Sequence, residues 1–267
     1  MSAIWAGNFF VLKNALDFVD PITFSFLRAF LGGAFVLALG GYKMKELSRR
    51  NVAMLSFIGL FNVSLFQILL NVGLTTVSPG VASTLLYTQP VFVAALSPLV
   101  GESLSHRKMG GIVAAFGGVV LIFLSSFSGV TVVIGDVLVL GSSLAWSISV
   151  LLYKKWNVSG DGRGVSVQLI AGSVFILPVF AFQEPILEPN PIFWVYLLYN
   201  VVLATGAGYI IFWGLLSKTP ASELTSYLFL VPALTTVFGS VLAFSIPPWN
   251  EVVGTLLVAL GIVVVNK

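Results

Sequence analysis

Three neutral polar side chains, Ser64, Gln67 and Asn71, recur at i, i+3 and i+7 inside an otherwise apolar run. That spacing puts them on one face of a helix. In hydrocarbon such groups need partners, so they either line a wet cavity or join two helices. Interhelical hydrogen bonds are weak and common, which favours the cavity. Amides both donate and accept, which suits orienting a small polar ligand. Tyr87 and Gln89 lie in the next apolar run and face the same space in this reading. Tyr209 and Trp213, at i, i+4, share a face and form an aromatic wall, with Tyr227 nearby in sequence. Trp5 and Asn8 stand in the first run, and Trp146 stands in a run of the second half. One cation, Arg28, falls about 10 Å of helix rise inside its run. It is a possible intramembrane charge, either functional or snorkelling to headgroups. Lys13 lies at i, i+4 from Asp17, and its expected role is at the surface.

Much chemistry is excluded. There is no cysteine, and the one histidine, His106, sits in a charged connection beside Arg107. That removes disulfides, thiolate or multi-histidine metal sites and cysteine nucleophiles. No Gly-Lys-Ser/Thr phosphate loop and no Gly-x-Ser-x-Gly turn occur. Glu223 follows Pro220 in a first helical turn, where the helix dipole favours a carboxylate. No cofactor or metal is expected, and no enzyme activity.

The elements that hold these residues follow from composition. Of 267 residues 58% are hydrophobic and 9% charged, and mean hydropathy is +1.04. A soluble domain carries about a quarter charged residues, so soluble enzymes and nucleic-acid-binding domains are excluded. Breaks marked by charges, Pro and Gly delimit ten spans. They cover about 2–16, 21–42, 52–74, 80–100, 109–125, 133–153, 165–183, 191–217, 221–246 and 250–266. No charged segment precedes the first span and no small-residue cleavage site follows it, which argues against a removed signal peptide. Eleven of the thirteen Lys and Arg fall in alternate connections or at the chain end: Lys43, Lys45, Arg49, Arg50, Arg107, Lys108, Lys154, Lys155, Arg163, Lys218 and Lys267. The opposite connections carry acids and no cation. The positive-inside rule then makes the basic side and both termini cytoplasmic. The chain is expected to be a multi-pass protein of the cell membrane.

The halves repeat with an offset near 141: Trp5 falls on Trp146, Lys13 on Lys154 and Ser78-Pro79 on Thr219-Pro220. Gln89-Pro90 falls on Val231-Pro232, and Gly111 and Gly118 fall on Gly254 and Gly261. Residues 1–125 and 126–267 are thus two five-span units. An odd span count makes the second unit enter the membrane from the opposite face. Inverted repeats are a transporter architecture, with the site near the midplane.

With these residues in place, the chain resembles the drug/metabolite transporter superfamily in its ten-span form with two EamA-type repeats. The resemblance rests on Trp5 with Asn8, Pro21 with Arg28, Ser78-Pro79, Gln89-Pro90 and Gly101-Glu102. It continues through Gly111/Gly118, Trp146, Thr219-Pro220, Pro232 and Gly254/Gly261. The second repeat departs from it, since Glu102 is matched near Ser245 and no arginine matches Arg28. The resemblance implies transport of amino acids, other metabolites, nucleotide sugars or drugs.

The expected fold is an all-α integral membrane protein of ten transmembrane helices in two inverted repeats. Pro90 and Pro232 each interrupt a helix near mid-span and are candidate hinges. The two glycine pairs let spans 5 and 10 pack closely as scaffold, on the opposite half or on another subunit. The expected function is a secondary transporter or facilitator of small neutral, zwitterionic or apolar metabolites. Too few cations are available for a nucleotide sugar. An integral-membrane enzyme and a non-transporting receptor or assembly subunit are the alternatives. The expected partners are a small-molecule substrate and the lipid bilayer, not nucleic acid, with the chain a monomer or homodimer.

Overall fold

The computed structural model describes all residues except 41–46, 103–104, 126–133, 159–160, 189, 243–248 and 267. Lys43, Lys45, Ser245, Lys267 and the junction between the halves lie outside the described residues. Ten helical runs follow one another, here spans 1 to 10: Ser2–Ala15, Pro21–Gly40, 49–76, 79–100, His106–Ser125, Ile134–Trp156, 162–181, 191–216, 221–242 and Trp249–Asn266. Among the described residues seven are long and apolar enough to cross a membrane, and Val252–Gly261 is a shorter apolar stretch. The protein is an all-α integral membrane protein.

Polar residues start and stop the spans where orphan backbone groups would otherwise be left. Asp20 accepts from Ile22 N at 3.0 Å and Thr23 N at 2.9 Å at the start of span 2. Asp161, 141 positions later, accepts from Gly164 N at 3.0 Å at the start of span 7. Ser78 caps span 4 with Pro79 in the first turn, the arrangement in which the missing proline N–H costs nothing. Glu102 reaches across to span 9, accepting from Ala221 N at 2.8 Å and Ser222 N at 3.3 Å. A carboxylate there meets both free N–H groups and the positive helix end.

Lys13 is half-buried at the end of the bundle and forms no ion pair with Asp17 among the described residues. Its ammonium donates to Leu74 O at 2.6 Å and Thr75 O at 3.1 Å, at the C-terminal end of span 3. Lys154, its match in the repeat, donates to Leu216 O at 2.9 Å at the end of span 8. Free carbonyls at a helix end attract cations, so this repeated pair is explained by capping.

The helices deviate from regularity at matching places. Span 3 holds a π-helical segment, Leu60–Leu65, and span 8 holds another, Tyr199–Ala207. Span 4 breaks at Tyr87–Thr88 and resumes at Gln89. Span 9 tightens to a 3-10 turn, Tyr227–Phe229, and resumes as Leu230–Leu242. Each break lies within the turn preceding Pro90 or Pro232, because proline lacks an N–H and clashes with the carbonyl four residues back.

Packing follows the same pseudo-symmetry. A Cβ on Gly118 would stand 2.5 Å from Gly254 O, and one on Gly261 would stand 2.5 Å from Gly111 O. Spans 5 and 10 therefore pack against each other backbone to backbone, across the two halves. Span 2 meets the π segment of span 8, where a Cβ on Gly32 would stand 2.8 Å from Thr205 Cγ2. Gly172 of span 7 makes the equivalent approach to Val63 in the π segment of span 3. At the acidic end the 1–2 and 7–8 connections pair, with Val19 bridging Leu187 and Asp20 accepting from Gln183 Nε2 at 2.9 Å.

Candidate functional site

Between the halves lies a cavity of about 30 Å³. It has room for a water or two and not for a metabolite. Span 1 lines it with Trp5, Asn8, Phe9 and Leu12, and span 2 contributes Arg28. Phe66 and Leu70 come from span 3, and Leu86, Tyr87 and Gln89 from span 4. The second half supplies Trp146 and Tyr209. The wall is apolar and aromatic with a few convergent polar groups, as small-molecule sites are.

Local structure explains how each polar group arrives. Tyr87 and Gln89 flank the break before Pro90, where the helix re-aims. Tyr209 begins the regular helix after the π segment of span 8, and its hydroxyl donates to Asn62 O at 3.1 Å, inside the π segment of span 3. A π turn widens the helix by one residue and is frequent at functional sites. Trp5 Nε1 donates to Ala204 O in the other π segment at 2.9 Å. That bond pins the indole at the cavity edge, where a Cβ on Gly208 would touch it at 2.6 Å.

Arg28 is 3% exposed. Its Nε donates to Thr205 Oγ1 at 2.8 Å, while its Nη1 is buried without a partner. It does not snorkel; span 8 holds it inside. At the equivalent crossing in the other half, Asn62 Nδ2 donates to Gln168 Oε1 at 2.8 Å. The repeat thus keeps a polar clasp at both crossings of span 2 or 7 with a π segment, and puts a cation in only one.

The remaining sequence-selected residues divide. Gln67 is buried, and its side chain interacts with the Tyr209 hydroxyl. Asn71 Nδ2 donates to Ser25 Oγ at 2.8 Å and leaves its Oδ1 unpaired. Both lie on span 3 next to the cavity-lining Phe66 and Leu70. Ser64 instead donates to Gly172 O at 2.7 Å and joins spans 3 and 7. Trp213 stands one layer behind the wall. It packs on Trp146 at a centroid distance of 6.4 Å and on Tyr153 at 4.9 Å. With Phe212, 4.6 Å from Trp146, these rings fill the second-half side and leave the cavity lopsided toward the first half. Tyr227 is 39% exposed at the 3-10 turn of span 9, away from the cavity. Pro90 and Pro232 are buried at the two breaks. Asn62, Thr205 and the π segments were missed from sequence; no residue pattern marks a π turn inside an apolar run.

The EamA-like transporter family profile matches residues 1–124 and again 133–267. The chain belongs to that family. Full-length relatives agree with the family assignment. The uncharacterized transporter YvbV of Bacillus subtilis is 29% identical, over 98% of this chain and 88% of its own length. An uncharacterized transporter of Archaeoglobus fulgidus is 28% identical, over 97% of this chain and 92% of its own. The probable terminal-alkyne amino-acid exporter of Streptantibioticus cattleyicolor is 24% identical, over 98% and 90%. One solved crystal structure superposes with a TM-score of 0.80 at 17% identity, covering 98% of this chain and 93% of that one; at that identity the likeness is one of fold. This EamA-family chain is therefore a membrane protein of transporter type.

Proposed function

We propose that the protein is a secondary transporter or facilitator that moves small neutral, zwitterionic or apolar metabolites across the cell membrane by alternating access. Amino acids and drug-like compounds are the expected cargo, and both termini are cytoplasmic. The observation that carries this reading is the small cavity lined by both halves, flanked by helix breaks at equivalent positions of both repeats. Inverted repeats that rock about a central site expose it to one side at a time. The cavity is too small for cargo as it stands, so the walls must move. The Pro90 and Pro232 breaks and the two π segments are where spans 3, 4, 8 and 9 lack regular hydrogen bonding and bend at least cost. At the acidic end the Val19–Leu187 bridge and the Asp20–Gln183 bond close the path. At the basic end Glu102 ties the first half to span 9. Opening one end while the other stays tied gives alternation. The relative named as an amino-acid exporter fits this cargo class. The unit that works is a monomer or homodimer.

The test is counterflow in sealed proteoliposomes holding the purified full chain, with a radiolabelled panel of amino acids, neutral metabolites and amphipathic drugs. Saturable, protein-dependent exchange of at least one panel member is expected. Exchange no faster than in protein-free vesicles for every member would refute the transporter reading.

A further inference from the structure

Arg28 is a buried cation with no counter-charge. All ten acids of the sequence lie at span ends or in connections. Among the described residues Arg28 forms no ion pair. Its electrostatic neighbours are the neutral side chains Tyr87 and Tyr209, and its single side-chain bond is the one to Thr205. Guanidinium stays charged at any physiological pH. A charge in hydrocarbon without a partner is costly and marks a functional site. Here it faces the cavity, with Nη1 unsatisfied, while Thr205 fixes Nε and so aims the fork.

We propose that Arg28 is the anchor for a single carboxylate on the transported solute, with Tyr87 and Tyr209 beside it and the apolar wall taking the solute's body. This rests on the transporter reading and shifts its cargo toward solutes bearing one carboxylate, taking the zwitterions of that class, adding monoanions to it and disfavouring uncharged ones. A planar fork matches a carboxylate in two parallel bonds. One cation balances one negative charge, so dianions are left with an unpaired charge in the cavity. The solute's carboxylate supplies the missing counter-ion. The rest of the wall is mostly apolar, with Trp5, Phe9, Phe66 and Trp146 among its residues, which favours a branched or aromatic body over a short polar one.

The test uses the purified full chain and intrinsic tryptophan fluorescence, since Trp5 and Trp146 line the cavity. The probes are two matched pairs, 4-methylpentanoate with 4-methylpentanamide and L-leucine with L-leucinamide. The expected result is saturable binding of both carboxylates, with each amide at least tenfold weaker. The preference should vanish in Arg28→Gln and persist in Arg28→Lys. Equal affinity of acid and amide in the unmutated protein, no saturable response to either carboxylate, or a preference that survives Arg28→Gln would each overturn the proposal. The acid–amide comparison needs no variant, so misfolding of Arg28→Gln leaves it decisive. The two readings fail separately. Counterflow that ignores the carboxylate leaves a transporter without this anchor. Carboxylate-selective binding without counterflow leaves the anchor without transport.

Discussion

Substituting the glycines of span 5 separates packing from composition. Gly117 and Gly118 are neighbours in sequence, and both look like small residues of a membrane helix. A Cβ on Gly118 would stand 2.5 Å from Gly254 O and 2.9 Å from Val258 N; a Cβ on Gly117 meets nothing within 4 Å. Ordinary carbon contacts fall at about 3.5–4.0 Å, so Gly118→Ala must push spans 5 and 10 apart by about 1 Å. Ile112, Ala115, Val119 and Val258 are buried along this seam. A gap of about 0.5–1 Å forfeits a quarter to a half of each dispersion contact. The expected destabilisation is about 1–3 kcal/mol, the usual size for over-packing. Gly261→Ala should match it, since its Cβ would stand 2.5 Å from Gly111 O. Gly117→Ala and Gly110→Ala should be neutral or stabilising by up to about 1 kcal/mol through helix propensity. Heating detergent-purified protein and measuring the surviving monodisperse fraction by size-exclusion chromatography ranks the four variants. Equal midpoints for Gly117→Ala and Gly118→Ala would refute the close packing of spans 5 and 10.

Three further outcomes are expected. Lys13→Met and Lys154→Met should each lower stability by about 0.5–2 kcal/mol through loss of a helix-end cap, whereas Lys218→Met, at an exposed position, should leave the same melting assay unchanged. Single cysteines at Ser217 and Glu184, both exposed, should react with an impermeant maleimide from the cytoplasm and from outside respectively; labelling of both from one side rejects the proposed topology. Pro90→Ala and Pro232→Ala should fold and insert yet slow counterflow several-fold, and parent-like rates for both would assign the prolines to packing alone.

The apolar excess, the alternating charge of the connections and the proline and glycine spacing fix the ten spans, because the bilayer makes hydropathy a direct reading of position. The repeat was legible for the same reason: Lys13/Lys154, Pro90/Pro232 and the glycine pairs keep their chemistry in both copies. Span boundaries agree with the helices to within a few residues. Sequence spacing also brought Trp5, Asn8, Tyr87, Gln89, Trp146 and Tyr209 to attention, and the fold gathers those six around one cavity. It could not separate them from Trp213, which lies at i, i+4 from Tyr209 in the same regular helix, Gly208–Leu216. The packing of Trp213 on Tyr153 and Trp146 decides which ring meets the space. Nor could it say where Lys13 and Arg28 end up. Both sit in apolar runs, but one finds free carbonyls at a helix end and the other finds only Thr205. Helical period sets which residues share a face; which face meets a partner, a cap or a cavity depends on where other helices cross it, and that is a property of the tertiary structure alone.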